Sequence, residues 1–452
     1  MDVEYKFGVI VADSIEIPDV SKGAENIKPS RAYRNYVLII LTLVYAFNFI
    51  DRQIIGILSP FIKVDLGLDD AQLGWLKGFA FALLYTVVGI PIAWLADRYN
   101  RVNIIGISLT LWSGFTALSG FAANFWQLAI LRVGVGIGEA GGSPPSHSIL
   151  SDLFDKTERA KALAFYSLGI PFGIMAAYFA AAFFLDGGSA DWRTVMISVG
   201  LPGVFLAILM KLTVKEPERA RVSNGPQQMD FMISVKRLLK IPTWWGMCLG
   251  ISFGSFGNYA ISTWIIDFYV RIHPDMPIQD LLIVFGIVNG TAYALGVWLG
   301  GVIADKWGRK SKRAYALLPT LALIIGVPCF YFSLQVGSVW LSIGLMTVML
   351  FASGMYLGPC FAIAQTLAPV NARAMSTALF FFVLNIIALG GGPTIIGLLS
   401  QSLSATMGEA EALRTSLSWL LLPYLLSIAT FYWASTKIEH DWHEAERMQA
   451  LD

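Results

Sequence analysis

The chain has 452 residues, of which 56% are apolar and only 14% charged, with a mean hydropathy of +0.63. Soluble proteins average about 45–50% apolar and about 25% charged residues, so this chain has too little polar surface to coat its apolar mass in water and reads as an integral membrane protein. Thirty-two Lys and Arg against 31 Asp and Glu give a net charge of +1, which excludes the basic excess of a phosphate-neutralising protein and removes nucleic acid as a partner.

Residues 1–35 are polar and mixed in charge, and their longest apolar stretch, Phe7 to Ala12, is too short for a signal-peptide core, so an uncleaved tail is expected there. A bilayer core about 30 Å thick asks for roughly 20 apolar residues per helix. Twelve such spans follow, at 36–60, 71–96, 102–123, 125–151, 160–186, 192–213, 242–268, 279–304, 314–334, 338–366, 374–400 and 415–436. Turn or charge signals separate them, among them Gly67, Arg98 to Arg101, Asp186 to Gly188, Pro274 to Pro277 and Lys306 to Arg313. Between the sixth and seventh spans, the charged stretch Lys211 to Lys240 reads as a linker with a short amphipathic surface helix near Phe231 to Leu239. Cys248, Cys329 and Cys360 lie in apolar runs and read as small buried hydrophobes.

The expected fold is all-α, with two six-helix bundles at 36–213 and 242–436, a linker at 214–241 and a carboxy-terminal tail at 437–452. With the amino terminus placed inside, the outer side holds only Lys63, Arg193, Arg271 and Arg414, and Arg52, Lys77 and Arg132 fall within spans away from their ends. All other Lys and Arg then lie on the inner side, so both termini are expected in the cytoplasm of a multi-pass plasma membrane protein.

The two halves repeat each other. "GIPIAWLADRYNR" closes the second span and "GGVIADKWGRK" the eighth, which puts Asp97 and Asp305 at equivalent points, as do Pro145 and Pro359 with a slightly different offset. Ala-Asp-x-x-Gly/Asn-Arg in these two loops resembles the signature of the major facilitator superfamily, and the resemblance covers nearly the whole chain. It implies a cytoplasmic gate in which Asp97 faces the start of the eleventh helix and Asp305 that of the fifth. Arg101 and Asp152 are the supporting pair, with Arg309 matching Arg101 in the second copy. Asn100 stands where the first copy of the signature has Gly, and Asn tolerates the same tight turn.

Ionised residues within spans cost about 2.5–3.5 kcal/mol each at a helix centre and are functional candidates by default. Asp51, Arg132 and Glu139 stand out among them. Arg132 and Glu139, seven residues apart, share one face of the fourth helix, and Arg132 reaches roughly the depth of Asp51, so those two are expected to pair. The repeat places Tyr259, Met346 and Ser353 where Asp51, Arg132 and Glu139 stand, so one half folds without these charges. Arg52 points about 100° away from Asp51, toward the cavity edge or a neighbouring helix. Lys77 is expected to snorkel to the headgroups, and His147 to be a packing residue more than a proton relay. Gly136-x-Gly138-x-x-Gly141 matches a dinucleotide fingerprint only formally, because it lies inside an apolar span without a preceding strand. Gly134, Gly138 and Gly142 instead make a smooth ridge for close helix packing or sliding.

In the first half, "FNFIDRQIIGILSPF", "LADRYNR", "FWQLAILRVGVGIGEAGGSPPSHSILSDLF" and "ADWR" resemble the Spinster family, with brief tails similar to a bacterial member. The resemblance implies a proton-linked or facilitative carrier of sphingosine 1-phosphate or lysophospholipids, working by alternating access as a monomer. Asp51, Arg52, Arg132 and Glu139 occupy matching positions. The same residues permit a mechanism in which protons on Asp51 or Glu139 release Arg132 to hold an anionic head group, with Asn258, Tyr259, Asn289, Tyr356 and Asn385 adding neutral hydrogen bonds from the other half. No cofactor is expected beyond a proton gradient, and the partners are an amphiphilic lipid, protons and membrane lipids. Two rival readings are a carrier of small organic anions or drugs and, remotely, a membrane enzyme, for which the four His at 147, 273, 440 and 443 supply no catalytic or metal-spaced set.

Overall fold

The computed structural model describes residues 29–185, 191–217, 238–368 and 373–449, and every regular element among them is a helix. Most of the amino-terminal tail, the Asp97 side chain and nearly all of the surface helix expected near Phe231 lie outside the described residues. Twelve spans form two six-helix bundles. The first bundle comprises α1 (Arg31–Leu66), α2 (Asp70–Lys77 and Phe79–Arg98), α3 (Arg101–Ser119), α4 (Phe125–Glu139 and Ser143–Leu153), α5 (Lys156–Ser167 and Gly169–Phe184) and α6 (Trp192–Thr213). The second comprises α7 (Pro242–Ile272), α8 (Ile278–Val288, Asn289–Tyr293 and Ala294–Gly308), α9 (Ala314–Gln335), α10 (Val339–Gly354 and Leu357–Thr366), α11 (Arg373–Leu384, Asn385–Gly390 and Gly391–Met407) and α12 (Glu409–Ser418 and Leu421–Gln449).

Local chemistry sets the helix ends. Ser30 Oγ accepts the Tyr33 N–H at 3.2 Å to start α1, and Gly67 ends it in the left-handed region at φ 62°, a conformation that residues with a side chain rarely adopt. Asn100 does not make the tight turn expected of it. At φ −61° and ψ 114° it is extended, and its Oδ1 accepts the Asn103 N–H at 2.8 Å, so it caps α3. Asn124 caps α4 in the same way.

Ten spans are long and apolar enough to cross a bilayer by themselves, and α4 and α7 are the exceptions. A turn at 140–142 breaks α4 into two short pieces, with Pro144 and Pro145 in the first turn of the second piece, where no intrahelical N–H is needed. α7 is a single long helix diluted by Ser, Gly, Asn and Asp. The glycine ridge of α4 packs within its own bundle: Gly134 lies on the Phe115 ring, and a Cβ at Gly138 would stand 2.7 Å from the Trp112 backbone nitrogen of α3. The three cysteines are free thiols, with Cys248 and Cys360 buried.

Glycines also bring the bundles together. A Cβ at Gly74 of α2 would sit 2.9 Å from Gly397 Cα of α11, and one at Gly56 of α1 would sit 3.1 Å from Thr263 Cα of α7. Both α8 and α11 widen at mid-length into one π-helical turn, beginning at Asn289 and Asn385. In α8 the Asn289 side chain donates to the Phe285 carbonyl at 3.0 Å, so a polar side chain enters the backbone ladder where the turn loosens.

Candidate functional site

The charges within the first bundle gather on α1 and α4, where Asp51, Arg132 and Glu139 are 0%, 2% and 1% exposed. Arg132 Nη1 donates to the Asp51 backbone carbonyl at 3.1 Å, and the Asp51 carboxylate accepts from Ser113 Oγ of α3 at 3.4 Å. The close ion pair is therefore not Asp51 with Arg132, as expected, but Arg52 with Glu139. Arg52 Nη2 and Nε donate to Glu139 Oε2 at 2.7 and 3.2 Å, and Nη2 also reaches Asn48 Oδ1 at 3.4 Å.

Helix direction accounts for the exchange of partners. Side chains lean toward the amino terminus of their own helix, and α1 and α4 run in opposite directions. Arg52 thus leans inward and Glu139 outward until they meet, whereas Arg132 leans outward, away from Glu139. Aromatic rings complete the cluster: the Arg52 guanidinium lies 5.1 Å from the Phe49 ring centre and 5.0 Å from those of Phe81 and Tyr85. Arg132 lies 5.6 Å from the other side of this group, over Phe81, so one ring serves both cations. Asp51 Oδ1, Arg132 Nε and Glu139 Oε1 are buried with no hydrogen-bond partner among the described residues.

The other bundle contributes less than expected. Tyr259 of α7 lies within electrostatic reach of Arg52 and packs against the first bundle's core, and Asn258 beside it is half-buried. Asn289 is spent on its own helix, and Asn385 opens the α11 π turn. Tyr356 is fully buried against Phe431 and Gly254, which places its ring in the packing between α7 and α12. His147 sets its ring edge-on to Tyr166 at 5.1 Å.

At the end expected to face the cytoplasm, Arg101 is a hub. It donates to Asp152 Oδ2 at 2.5 Å, Ser148 Oγ at 2.8 Å, Glu216 Oε1 at 2.6 Å and the Pro217 carbonyl at 3.1 Å, so it ties α3 to α4 and to the start of the linker. Among the described residues, Asp305 accepts from Tyr315 Oη of α9 at 3.3 Å, and Arg309 is exposed. Tyr315 in turn stacks on Trp442 of the long α12. His440, Asp441 and Glu444 bring ligand atoms within 4.8 Å of one another, a grouping not anticipated from the sequence, but Asp441 Oδ2 is engaged by the Thr243 N–H at the start of α7 at 2.8 Å.

A second ionic cluster, at the outer end, was missed. Asp70 at the start of α2 receives both Arg271 Nη atoms of α7 at 2.7 and 2.8 Å, Ser400 Oγ of α11 at 2.6 Å and Lys63 at 3.0 Å. Lys63 also meets Glu409 of α12 at 2.7 Å. Deeper in, Lys77 of α2 pairs with Asp267 of α7 at 2.7 Å, and both side chains are fully buried. Lys77 does not snorkel to the headgroups, because α7 covers it and supplies both a carboxylate and the Trp264 ring, 3.5 Å from Nζ. The available signal was Asp267 itself, an acidic residue near the end of the seventh span with Arg271 one turn on.

The model of the Major Facilitator Superfamily matches residues 41–393. A Mycolicibacterium smegmatis MFS-type efflux pump is 30% identical over 414 residues, covering 90% of this chain and 94% of that protein. Protein spinster homolog 1 of Xenopus tropicalis is 28% identical over 424 residues, covering 88% and 79%. Among solved structures, the chain resembles a bacterial homolog of the human lysosomal transporter Spinster in its inward-facing, unoccupied conformation, with a TM-score of 0.83, 29% identity and coverage of 91% and 99%. With two six-helix bundles, a loop motif repeated in both and this set of relatives, the chain belongs to the major facilitator superfamily and is Spinster-like within it.

Proposed function

We propose that this transporter moves a lysolipid or sphingolipid-like amphiphile by proton-coupled alternating access, with Asp51 and Glu139 as the proton-sensitive carboxylates. The observation that carries the reading is the Arg52–Glu139 pair beside Arg132: two guanidiniums on one aromatic ring, one of them neutralised by a buried carboxylate. A proton on Glu139 removes the charge that holds Arg52. Two cations then face an incoming anion, and a phosphate head accepts planar bidentate hydrogen bonds from guanidinium groups. The head group is thus held by Arg132 and Arg52 together, the two arginines expected to bind the substrate. Phe49, Phe81 and Tyr85 offer apolar surface for the adjoining part of the lipid.

The cycle would run between an outer opening that loads or releases protons and an inner opening toward the cytoplasm, with both termini on the cytoplasmic side. The test is uptake into proteoliposomes with an imposed proton gradient. A phosphate-headed lysolipid should accumulate, and accumulation should be lost in Asp51→Asn. Uptake of the lipid with no response to the gradient would refute proton coupling. A second reading, efflux of small organic anions or drugs, is favoured by the likeness to the M. smegmatis efflux pump. It predicts that a soluble organic anion competes for the site as well as the lysolipid does.

A further inference from the structure

Three ion pairs join the two bundles at the outer end: Lys63–Glu409, Arg271–Asp70 and Lys77–Asp267. They differ in access to water. Glu409 is 62% exposed, and Lys63 and Arg271 are 15% and 12% exposed, whereas Lys77 and Asp267 are both at 0%. Asp267 takes its contacts from three helices: Ser59 of α1 donates to Oδ2 at 2.5 Å, Lys77 of α2 donates to the same oxygen, and Arg271 of its own α7 stands 3.8 Å from Oδ1. Trp264, whose ring carries the Lys77 ammonium, donates its indole N–H to the Pro393 carbonyl of α11 at 2.9 Å. One buried ion pair is thereby fastened to four helices at this end, α1, α2, α7 and α11.

We infer that the Lys77–Asp267 pair is the lock of the outward gate, and that these two residues set the balance between the outer-closed and outer-open states. The argument is one of desolvation. An exposed pair is replaced by water at little cost when it separates. A dry pair is stable in contact or fully hydrated, and at intermediate separation each charge would be buried and unpaired. The outer end is therefore bistable, closed and paired or open and wet, which suits a carrier that must never open at both ends. Ser59 lies eight residues along α1 from Asp51, about 12 Å outward at 1.5 Å per residue, so the lock stands apart from the central charges. The inference rests on alternation of the bundles and not on the lipid reading.

The test places spin labels at Ala123→Cys, between α3 and α4, and Ser338→Cys, between α9 and α10, both exposed, in a Cys329→Ser background, and measures their separation without substrate. Asp267→Asn keeps side-chain shape and can still accept from Ser59, and Lys77→Met keeps length. Each should raise the ratio of open to closed molecules by about tenfold or more. Their combination should do no more than the larger single effect, since both act through one contact. Lys77→Arg should stay closed, and Glu409→Gln should move the ratio by less than about twofold. Folded Asp267→Asn protein with the wild-type distance distribution would overturn the inference, as would a Glu409→Gln shift equal to that of Asp267→Asn. Asp267→Asn carries the test by itself should Lys77→Met fail to fold.

Discussion

Replacing Glu139 with Gln probes the central site most directly. Gln fills the same volume and leaves one neutral acceptor for Arg52, so the perturbation is the charge. In the wild type Glu139 Oε2 receives two bonds from Arg52, at 2.7 and 3.2 Å, and both side chains are largely out of water. Hydrogen bonds to charged groups are worth about 1.5–3 kcal/mol and neutral ones about 0.5–1.5, so the substitution weakens the hold on Arg52 by about 1–3 kcal/mol. That is about 5- to 150-fold in the availability of Arg52 to an anion. Protonation of Glu139 has the same effect, so wild-type affinity for a phosphate-headed lysolipid should tighten as pH falls. Glu139→Gln should bind at least about fivefold more tightly near neutral pH, with a flattened pH dependence and no gradient-driven accumulation. Binding isotherms between about pH 5.5 and 8, with transport in proteoliposomes, read all three. A variant with the wild-type pH slope would refute the assignment of Glu139 as the proton-sensitive partner of Arg52.

Arg132→Ala should abolish the thermal stabilisation that a phosphate-headed lysolipid gives the wild type, while Arg132→Lys, a point charge without the planar fork, should restore only part of it. In the α3–α4 contact, Gly138→Val must displace the Trp112 backbone and should cost about 1–3 kcal/mol of stability, whereas Gly114→Ala, which has open space around it, should leave the melting temperature unchanged. Asp441→Ala removes the acceptor for the Thr243 N–H at the start of α7, and should lower stability by about 1 kcal/mol in a denaturation assay.

Spans, bundles and repeat were legible because hydropathy over about 20 residues is a one-dimensional signal. Asp51, Arg132 and Glu139 stood out for the same reason, as ions in apolar runs. Which ion met which was not legible, because it depends on the lean of side chains on antiparallel helices, and a depth estimate from span boundaries treats each residue as a point. Lys77 was misread because position along a helix indicates nearness to the headgroups but not which helix lies over the side chain. Asp267 lies one residue inside the end of the seventh span, where an ion stands out less than at mid-span. The π turns at Asn289 and Asn385 leave no pattern beyond an Asn in an apolar stretch.

The two spans too short or too polar to enter a bilayer unaided, α4 and α7, carry a consequence for biosynthesis. Their troublesome charges are all met by residues translated earlier: Glu139 by Arg52, Arg132 by the Asp51 carbonyl, and Asp267 by Ser59 and Lys77. When each reluctant segment emerges from the ribosome, its counter-ion is already in the membrane. Assembly of this chain is thus ordered from its first two helices, and exchanging α1 for a purely apolar span would strand α4 at the insertion machinery while α7 would still find Lys77 and Asp70 of α2.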